Sequence, residues 1–315
     1  MNDHTRANLA HWNELVSIHA QSKFYDLQSF KAGDSTLKPI EVEELGDVAG
    51  KSLLHLQCHF GLDTLSWARQ GAKVTGADFS DQAIALALSL SKELKIKANF
   101  VCSDLYELPN VLPGQFDIVY TSYGVLCWLS DLGRWGKTIA HFLKPGGVFY
   151  IVEFHPFTHV FDNEDDATDL RVAYPYFSAE PLRWESETSY ADPTPIQHRV
   201  TYEWFHSLGD ILNALISAGL RIEFLHEFPV CAYRSFPFME QGADGWWRLK
   251  GGDTIPLIFS LRATKTVGQV GSTAIQRPAS SLGLASPCPA SSRAMDTGYA
   301  LPYNFRMDAD HLTGG

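Results

Sequence analysis

"SLLHLQCHFGLDTLSWARQGAKVTGAD", residues 52–78, decides the fold. Its first six residues read as a buried strand, and "GLDTLSWARQ" (61–70) as a helix stopped by Gly71. "KVTGAD" is a second strand ending on Asp78. Strand, tight turn, helix and strand at this length form a crossover unit, which joins parallel strands. The alternation continues downstream. Ser80 is placed to cap a helix, "DQAIALALSLSKEL", whose Ala83, Ile84, Ala87, Leu88 and Leu94 share one face. "ANFVCSD" and "FDIVYTSY" are a third and fourth strand, residues 131–143 a helix closed by "KPGG", and "VFYIVEF" a fifth strand. The pattern predicts an α/β, doubly wound, mostly parallel sheet covered on both faces.

After the fifth strand the rhythm changes. Residues 155–206 are rich in aromatics, proline and acid, and "HRVTYEWFHS" reads as an antiparallel strand, so this stretch is an insertion that covers the substrate. Order returns with the helix "DILNALISAGL", the strand "RIEFLHEF", an aromatic loop over 229–254 and a last strand, "IPLIFSLRATK". Residues 1–50 are expected to form cap or lid helices. From residue 266 to 315 serine, alanine, glycine and proline crowd the chain and no apolar period survives, a composition that predicts disorder. The domain is thus expected over 51–265, with its core in 51–154 and 207–265.

Composition excludes several functions. The 36 acids against 25 bases give a formal charge of −11 with no Lys/Arg cluster, which makes nucleic acid and anionic membrane poor partners. The polar start and the lack of any run of 18 apolar residues predict a cytoplasmic protein. The five cysteines include no C-x-x-C pair, which argues against a disulfide framework and a zinc site. The sequence is silent on oligomeric state.

In such a sheet ligands bind beyond the carboxyl ends of the strands. Strand 1 ends in the turn Gln57–Gly61, strand 2 on Asp78, strand 3 on Asp104, and strand 4 puts Ser122 and Tyr123 on the same rim. A lone acid after strand 2 is as readily a solvated turn or a cap. Successive strand ends that each offer a polar group favour a site.

"FDIVYTSYGVLCWLSD" followed by "LKPGGVFYIVE" carries the most specific resemblance: the chain is similar to the class I S-adenosylmethionine-dependent methyltransferases. The likeness covers roughly 45–154, and 208–265 fits the end of that family's seven-stranded sheet with its antiparallel last strand. It implies a methyltransferase moving a methyl group from S-adenosyl-L-methionine to a small molecule. It also implies cofactor contacts at Gln57, Cys58, His59 and Gly61, ribose contact by Asp78 with Phe79 beside it, and adenine contact by Asp104 with Leu105. Ser122 and Tyr123 complete the cofactor rim. The family's first motif has an acid and three glycines where this chain has His55, Gln57, His59 and Gly61. A pyrophosphate ligand needs bare backbone at such a turn. A methionine tail instead admits a side chain, and Gln57 is expected to donate to its carboxylate.

His155, just beyond strand 5, is a candidate general base, and equally a histidine bonded to backbone. Tyr25, Trp128, Tyr233 and Trp247 are expected to wall the acceptor, although rings in a lid also fill the lid's own core. The spacings His55/His59 and His155/His159 lack a third ligand, so no metal is expected. The alternative is a non-catalytic or regulatory protein that keeps the fold.

Overall fold

The computed structural model describes residues 1–178, 180–252 and 254–266; the expected disorder from 267 onward lies outside the described residues. Three helices come first: α1 (Asp3–Gln21), α2 (Leu27–Ala32) and α3 (Pro39–Leu45). The alternating part follows as β1 (Ser52–Leu56), α4 (Leu62–Arg69), β2 (Lys73–Asp78), α5 (Asp81–Glu93) and β3 (Ala98–Cys102). It continues with α6 (Leu108–Val111), β4 (Phe116–Ser122), α7 (Leu132–Phe142) and β5 (Leu143–Phe154). A hairpin, β6 (Leu182–Glu185) and β7 (Val200–Glu203), precedes α8 (Leu208–Ser217) and β8 (Leu220–Phe228). A second hairpin, β9 (Met239–Gln241) and β10 (Trp247–Leu249), precedes β11 (Ile258–Lys265).

Seven strands form one sheet in the order β3-β2-β1-β4-β5-β11-β8, and β11 runs antiparallel to both its neighbours. The order reverses at β1, which pairs in parallel with β2 on one side and β4 on the other. Side-chain alternation divides the core. Leu53, Tyr120, Tyr150 and Val152 pack with Trp67 of α4 on one face. Leu54, Val119, Phe149 and Ile151 pack with Trp135 and Ile139 of α7 and Leu215 of α8 on the other. Period-2 strands buried on both faces read as nearly continuous apolar runs, which is why they were legible.

Local chemistry sets the element ends. The Ser80 side chain accepts from the Ala83 N–H at 3.0 Å and starts α5, and Asp131 and Ser207 do the same for α7 and α8. Gly136 lets α7 lie against α8: a Cβ there would stand 2.6 Å from the Ala214 carbonyl oxygen. The strand boundaries differ from expectation at two places. β3 stops at Cys102, two residues before Asp104, and β5 begins at Leu143, absorbing "KPGG" through a register shift between Phe116 and Ile118. The short pairs β6–β7 and β9–β10 occupy stretches expected as insertion and loop, and strands of three or four residues leave little periodicity to read.

α1 ties the pieces together. The Asn8 side chain donates to the Tyr202 carbonyl at 2.7 Å and accepts from the Tyr202 N–H at 2.8 Å, along the free edge of β7. One turn on, Asn13 accepts from Ser80 Oγ at 2.6 Å and donates to Asp81 Oδ1 at 2.8 Å. The helix therefore spans from the insertion to the start of α5, across the carboxyl end of β2. Among the described residues no helix is long and apolar enough to cross a membrane.

Candidate active site

The turn after β1 keeps a glycine-rich backbone without the glycines. Gln57, His59 and Gly61 have φ of 55°, 49° and 78°, all in the left-handed region. Side-chain residues there cost about 1–2 kcal/mol each, a cost that persists where surroundings and function fix the conformation. Gly61 is indispensable for another reason: a Cβ would stand 2.6 Å from the Phe100 ring and 3.2 Å from the Ala87 Cβ. It faces protein, and it lets α4 start tightly against β3 and α5.

The turn also consumes its own amides. The Cys58 N–H donates to the Ala77 carbonyl at 3.0 Å, the Gly61 N–H to the Cys58 carbonyl at 2.9 Å, and the His59 N–H to Asp78 Oδ2 at 2.8 Å. No row of bare amides is left for an anion, in contrast to a phosphate-binding loop. Cys58 is buried, with its sulfur where a Cβ on Gly76 would fall, so its side chain fills the β1–β2 seam.

Gln57 points the other way. Its Nε2 donates to the Val125 carbonyl at 3.0 Å, and its Oε1 is buried without a partner. The carbonyl at Val125 can only accept, so it fixes which end of the amide faces it and leaves the oxygen as the unpartnered atom. The second Nε2–H can still donate to a carboxylate as expected, and the unpartnered Oε1 adds an acceptor beside it.

Asp78 ends β2 beside this turn, buried, with Oδ2 taken by the His59 N–H and Oδ1 by the Ser80 N–H at 2.9 Å. Burial pushes its carboxyl up to about 6 against the pull of those amides. Each oxygen keeps a second lone pair. Phe79 is half-buried next to it. Asp104 accepts from the Tyr106 N–H at 2.8 Å, and Leu105 is buried with Leu56 and Ala77 under the same strand ends.

The β4 rim is committed to the interior. Ser122 Oγ donates to Asp63 Oδ2 at 3.0 Å, and the Tyr123 hydroxyl to Glu41 Oε2 at 3.0 Å. Burial pushes Glu41 up to about 8. The next residues are held by Glu153, which the sequence reading did not single out. Its buried carboxylate accepts from the N–H groups of Gly124, Val125, Leu126 and Phe154, and so fixes the carbonyl to which Gln57 is bonded. Trp128 folds back on this turn, its Nε1 donating to the Gly124 carbonyl at 2.9 Å.

Over the turn lies a ring cluster from three distant parts of the chain. His19 of α1 is fully buried, with Nδ1 3.1 Å from His59 Nε2 and Nε2 2.7 Å from Ser189 Oγ. Tyr25 stacks on His19 at 4.9 Å and shares a hydrogen bond with the Tyr190 hydroxyl. Trp12 meets His59 and Trp128 edge-on at 5.4 and 5.3 Å. Burial lowers His59 to about 3 and His19 well below its usual value, so both rings are neutral at pH 7. Of the expected acceptor walls, Tyr25 and Trp128 meet here. Tyr233 packs on Phe154 at 4.8 Å, and Trp247 pairs its backbone with Cys231 beside β9–β10.

His155 does not stand ready to take a proton. Its Nε2 is 2.8 Å from Glu227 Oε1 and its Nδ1 accepts from the Phe157 N–H at 3.1 Å, capping a short 3₁₀ turn. Both nitrogens are engaged, and the role of base is not carried forward for it. His55 is bonded to Thr64 at 2.8 Å in the interior. Among the described residues no three His, Cys, Asp or Glu side chains are grouped to hold a metal.

Comparison with known proteins matches the site's frame. Residues 54–151 match the family model described as "Methyltransferase domain". A ubiquinone biosynthesis O-methyltransferase of Xanthomonas euvesicatoria is 27% identical over 154 residues, 48% of this chain and 64% of that protein. One of Bordetella bronchiseptica is 32% identical over 109 residues, 34% of this chain and 45% of that protein. The chain thus spans about half to two thirds of the length of these curated relatives. In structure, an S-adenosylmethionine-dependent methyltransferase from Mesorhizobium loti superposes with a TM-score of 0.52 at 22% identity, over 74% of this chain and 99% of that one.

Proposed function

We propose that this chain, which belongs by its sheet and by residues 54–151 to the class I S-adenosylmethionine-dependent methyltransferases, transfers a methyl group from S-adenosyl-L-methionine to a small molecule. The observation that carries the reading is the unpartnered, buried Oε1 of Gln57 next to Asp78 at the point where the strand order reverses. An acceptor oxygen with no donor inside the protein costs about 1–3 kcal/mol unless a ligand supplies one. The ammonium of a methionine tail is such a donor, and the Asp78 carboxylate has lone pairs for two ribose hydroxyls.

Bound there, S-adenosyl-L-methionine supplies a sulfonium methyl for in-line displacement, which needs chiefly alignment and exclusion of water. Gln57 would hold the ammonium of the methionine tail, Asp78 the ribose hydroxyls and Asp104 the adenine. Trp12, His19, Tyr25 and Tyr190 close over the turn and keep water out. His59 Nδ1 makes no hydrogen bond among the described residues, while its Nε2 meets His19. A proton taken from the acceptor at His59 Nδ1 can leave through Nε2 to His19 Nδ1 and on towards Ser189 Oγ, so that neither buried ring holds two protons. The acidic surface favours a small molecule over nucleic acid or lipid, and the cytoplasm as the place of work.

Calorimetry with S-adenosyl-L-methionine tests the reading: micromolar binding is expected, and no heat at millimolar ligand would overturn it. The Gln57 assignment has its own test. Gln57→Ala should raise the cofactor's Kd about tenfold, as for a lost hydrogen bond to a charged group, without lowering Tm. The penalty should vanish with a deaminated S-adenosylhomocysteine and persist with a decarboxylated one. The reverse pattern would restore the donor role.

A further inference from the structure

The inner face of the β6–β7 hairpin breaks the rule that a buried strand face is apolar. Pairing sets Trp184 opposite Thr201 and Leu182 opposite Glu203, so alternation turns Trp184, Thr201 and Glu203 inward while Arg183 and Glu185 are exposed. Thr201 and Glu203 are fully buried and Trp184 nearly so. Their polar atoms make no hydrogen bond: Trp184 Nε1, Thr201 Oγ1 and both carboxylate oxygens of Glu203 are all unpartnered. One orphan is a local misfit; four on one face, three of them oxygens able to accept, point to a donor that the described residues do not supply. A dry carboxyl without a partner is costly to keep, and burial pushes Glu203 well above the ordinary carboxylate range.

The surroundings narrow the ligand. Trp184 meets Tyr174 edge-on at 5.3 Å and tilts towards Phe205 at 6.5 Å, and the same apolar cluster includes Phe161, Tyr233 and Cys127. Among the described residues no cation is paired with Glu203. The face adjoins the candidate active site, because the Trp204 N–H, one residue along, donates to the Cys127 carbonyl at 2.8 Å in the turn that follows β4. The ring cluster at Trp184, on the same strand face as an isolated carboxyl and a hydroxyl acceptor, suits a group that brings a positive charge and several N–H donors.

We propose that Glu203, with Thr201 beside it and Trp184 as a wall, forms the subsite that anchors a primary ammonium group of the methyl acceptor. The ammonium donates to the Glu203 oxygens and to Thr201 Oγ1, and the aromatic faces compensate its lost hydration. The substrate class is therefore an amine-bearing small molecule. This rests on the methyltransferase reading only in calling the ligand the acceptor; the subsite itself rests on the orphaned groups.

The full chain titrated with benzylamine and with benzyl alcohol, a matched pair differing in the charged group, tests it by calorimetry. Benzylamine is expected to bind at least tenfold more tightly. Glu203→Gln should erase that preference, raise Tm because an unpartnered acid is gone, and leave the Kd of S-adenosyl-L-methionine unchanged. Thr201→Val should cost several-fold in benzylamine affinity alone. Equal binding of the two probes to the unaltered chain, or a preference that survives Glu203→Gln, would overturn the subsite. If S-adenosyl-L-methionine fails to bind while the Glu203-dependent preference holds, the methyltransferase reading falls and the amine subsite stands.

Discussion

Replacing Glu153 with glutamine is expected to destabilise the fold by about 2–4 kcal/mol and to loosen the cofactor site with it. The carboxylate is buried with no cationic neighbour among the described residues, and it survives there because Oε1 accepts from the Gly124 and Phe154 N–H groups and Oε2 from those of Val125 and Leu126, at 2.8 and 3.1 Å. Glutamine matches the shape but turns an NH₂ towards two of these donors. Two charge-assisted hydrogen bonds are lost and donors face donors, each loss worth about 1.5–3 kcal/mol before the easier burial of a neutral group is credited. A Tm lower by roughly 5–12 °C is the expected reading for a domain of this size. The Val125 carbonyl then loses its fixed position, and Gln57, bonded to it at 3.0 Å, loses the contact that orients its free oxygen. Glu227→Gln is the control, since that side chain is half exposed and, among the described residues, bonded to His155 alone, and it should shift Tm little. A Glu153→Gln protein as stable as the original would mean that Glu153 is protonated in the fold and already behaves as a neutral group.

Glu153 also illustrates where the sequence is readable and where it is not. It sits in "VFYIVEF", read as a strand from its apolar run, and nothing in that run says which backbone its carboxylate serves. Three of its four partners lie 27 to 29 residues earlier in the chain. Strands β1, β2, β4 and β5 were legible because burial on both faces writes itself as local apolar runs, β3 as a short apolar edge strand that is only partly buried, and Asp78 because it ends β2. The left-handed backbone at Gln57 and His59 was hidden because the residue type that announces it is missing. The cluster of Trp12, His19, His59 and Tyr190 joins the N-terminal helix, the first turn and the insertion, and no local period links residues so far apart. "VTYEWF" was read as a strand, and its alternation already groups Thr201 with Glu203 and Phe205. Only the fold says that this face, with its acid, is the inner one. His155 shows the converse: a histidine at a strand end looks available in the sequence, and the fold engages its two nitrogens with Glu227 and the Phe157 amide.

Asp78→Asn should weaken S-adenosyl-L-methionine binding roughly ten- to hundredfold, and the structure adds a cost to folding that the sequence did not suggest. The carboxylate joins the two halves of the site: one oxygen fixes the His59 N–H of the β1 turn and the other the Ser80 N–H at the start of α5. An asparagine must set its NH₂ against one of those donors, so about 1–3 kcal/mol of stability should go together with the ribose contact. The pH dependence separates the two effects. Burial raises the folded carboxyl to about 6, above its value in the unfolded chain, so the contribution of this group to stability is complete below the unfolded value and is lost as pH rises through about 6. Cofactor binding runs in the opposite sense, because the ionised form is the one that accepts two hydroxyls. Affinity should rise roughly tenfold between pH 5 and pH 7 in the unaltered chain and stay flat in Asp78→Asn. Asp81→Asn serves as the comparison, since Asp81 lies in the first turn of α5 and is bonded to Asn13 of α1, so only a few tenths of a kcal/mol should separate its cofactor affinity from that of the unaltered chain. Calorimetry on the three proteins across this pH range decides the matter: if Asp78→Asn and Asp81→Asn bind alike, or the unaltered chain shows no rise, the ribose is held elsewhere and Asp78 only ties the β1 turn to α5.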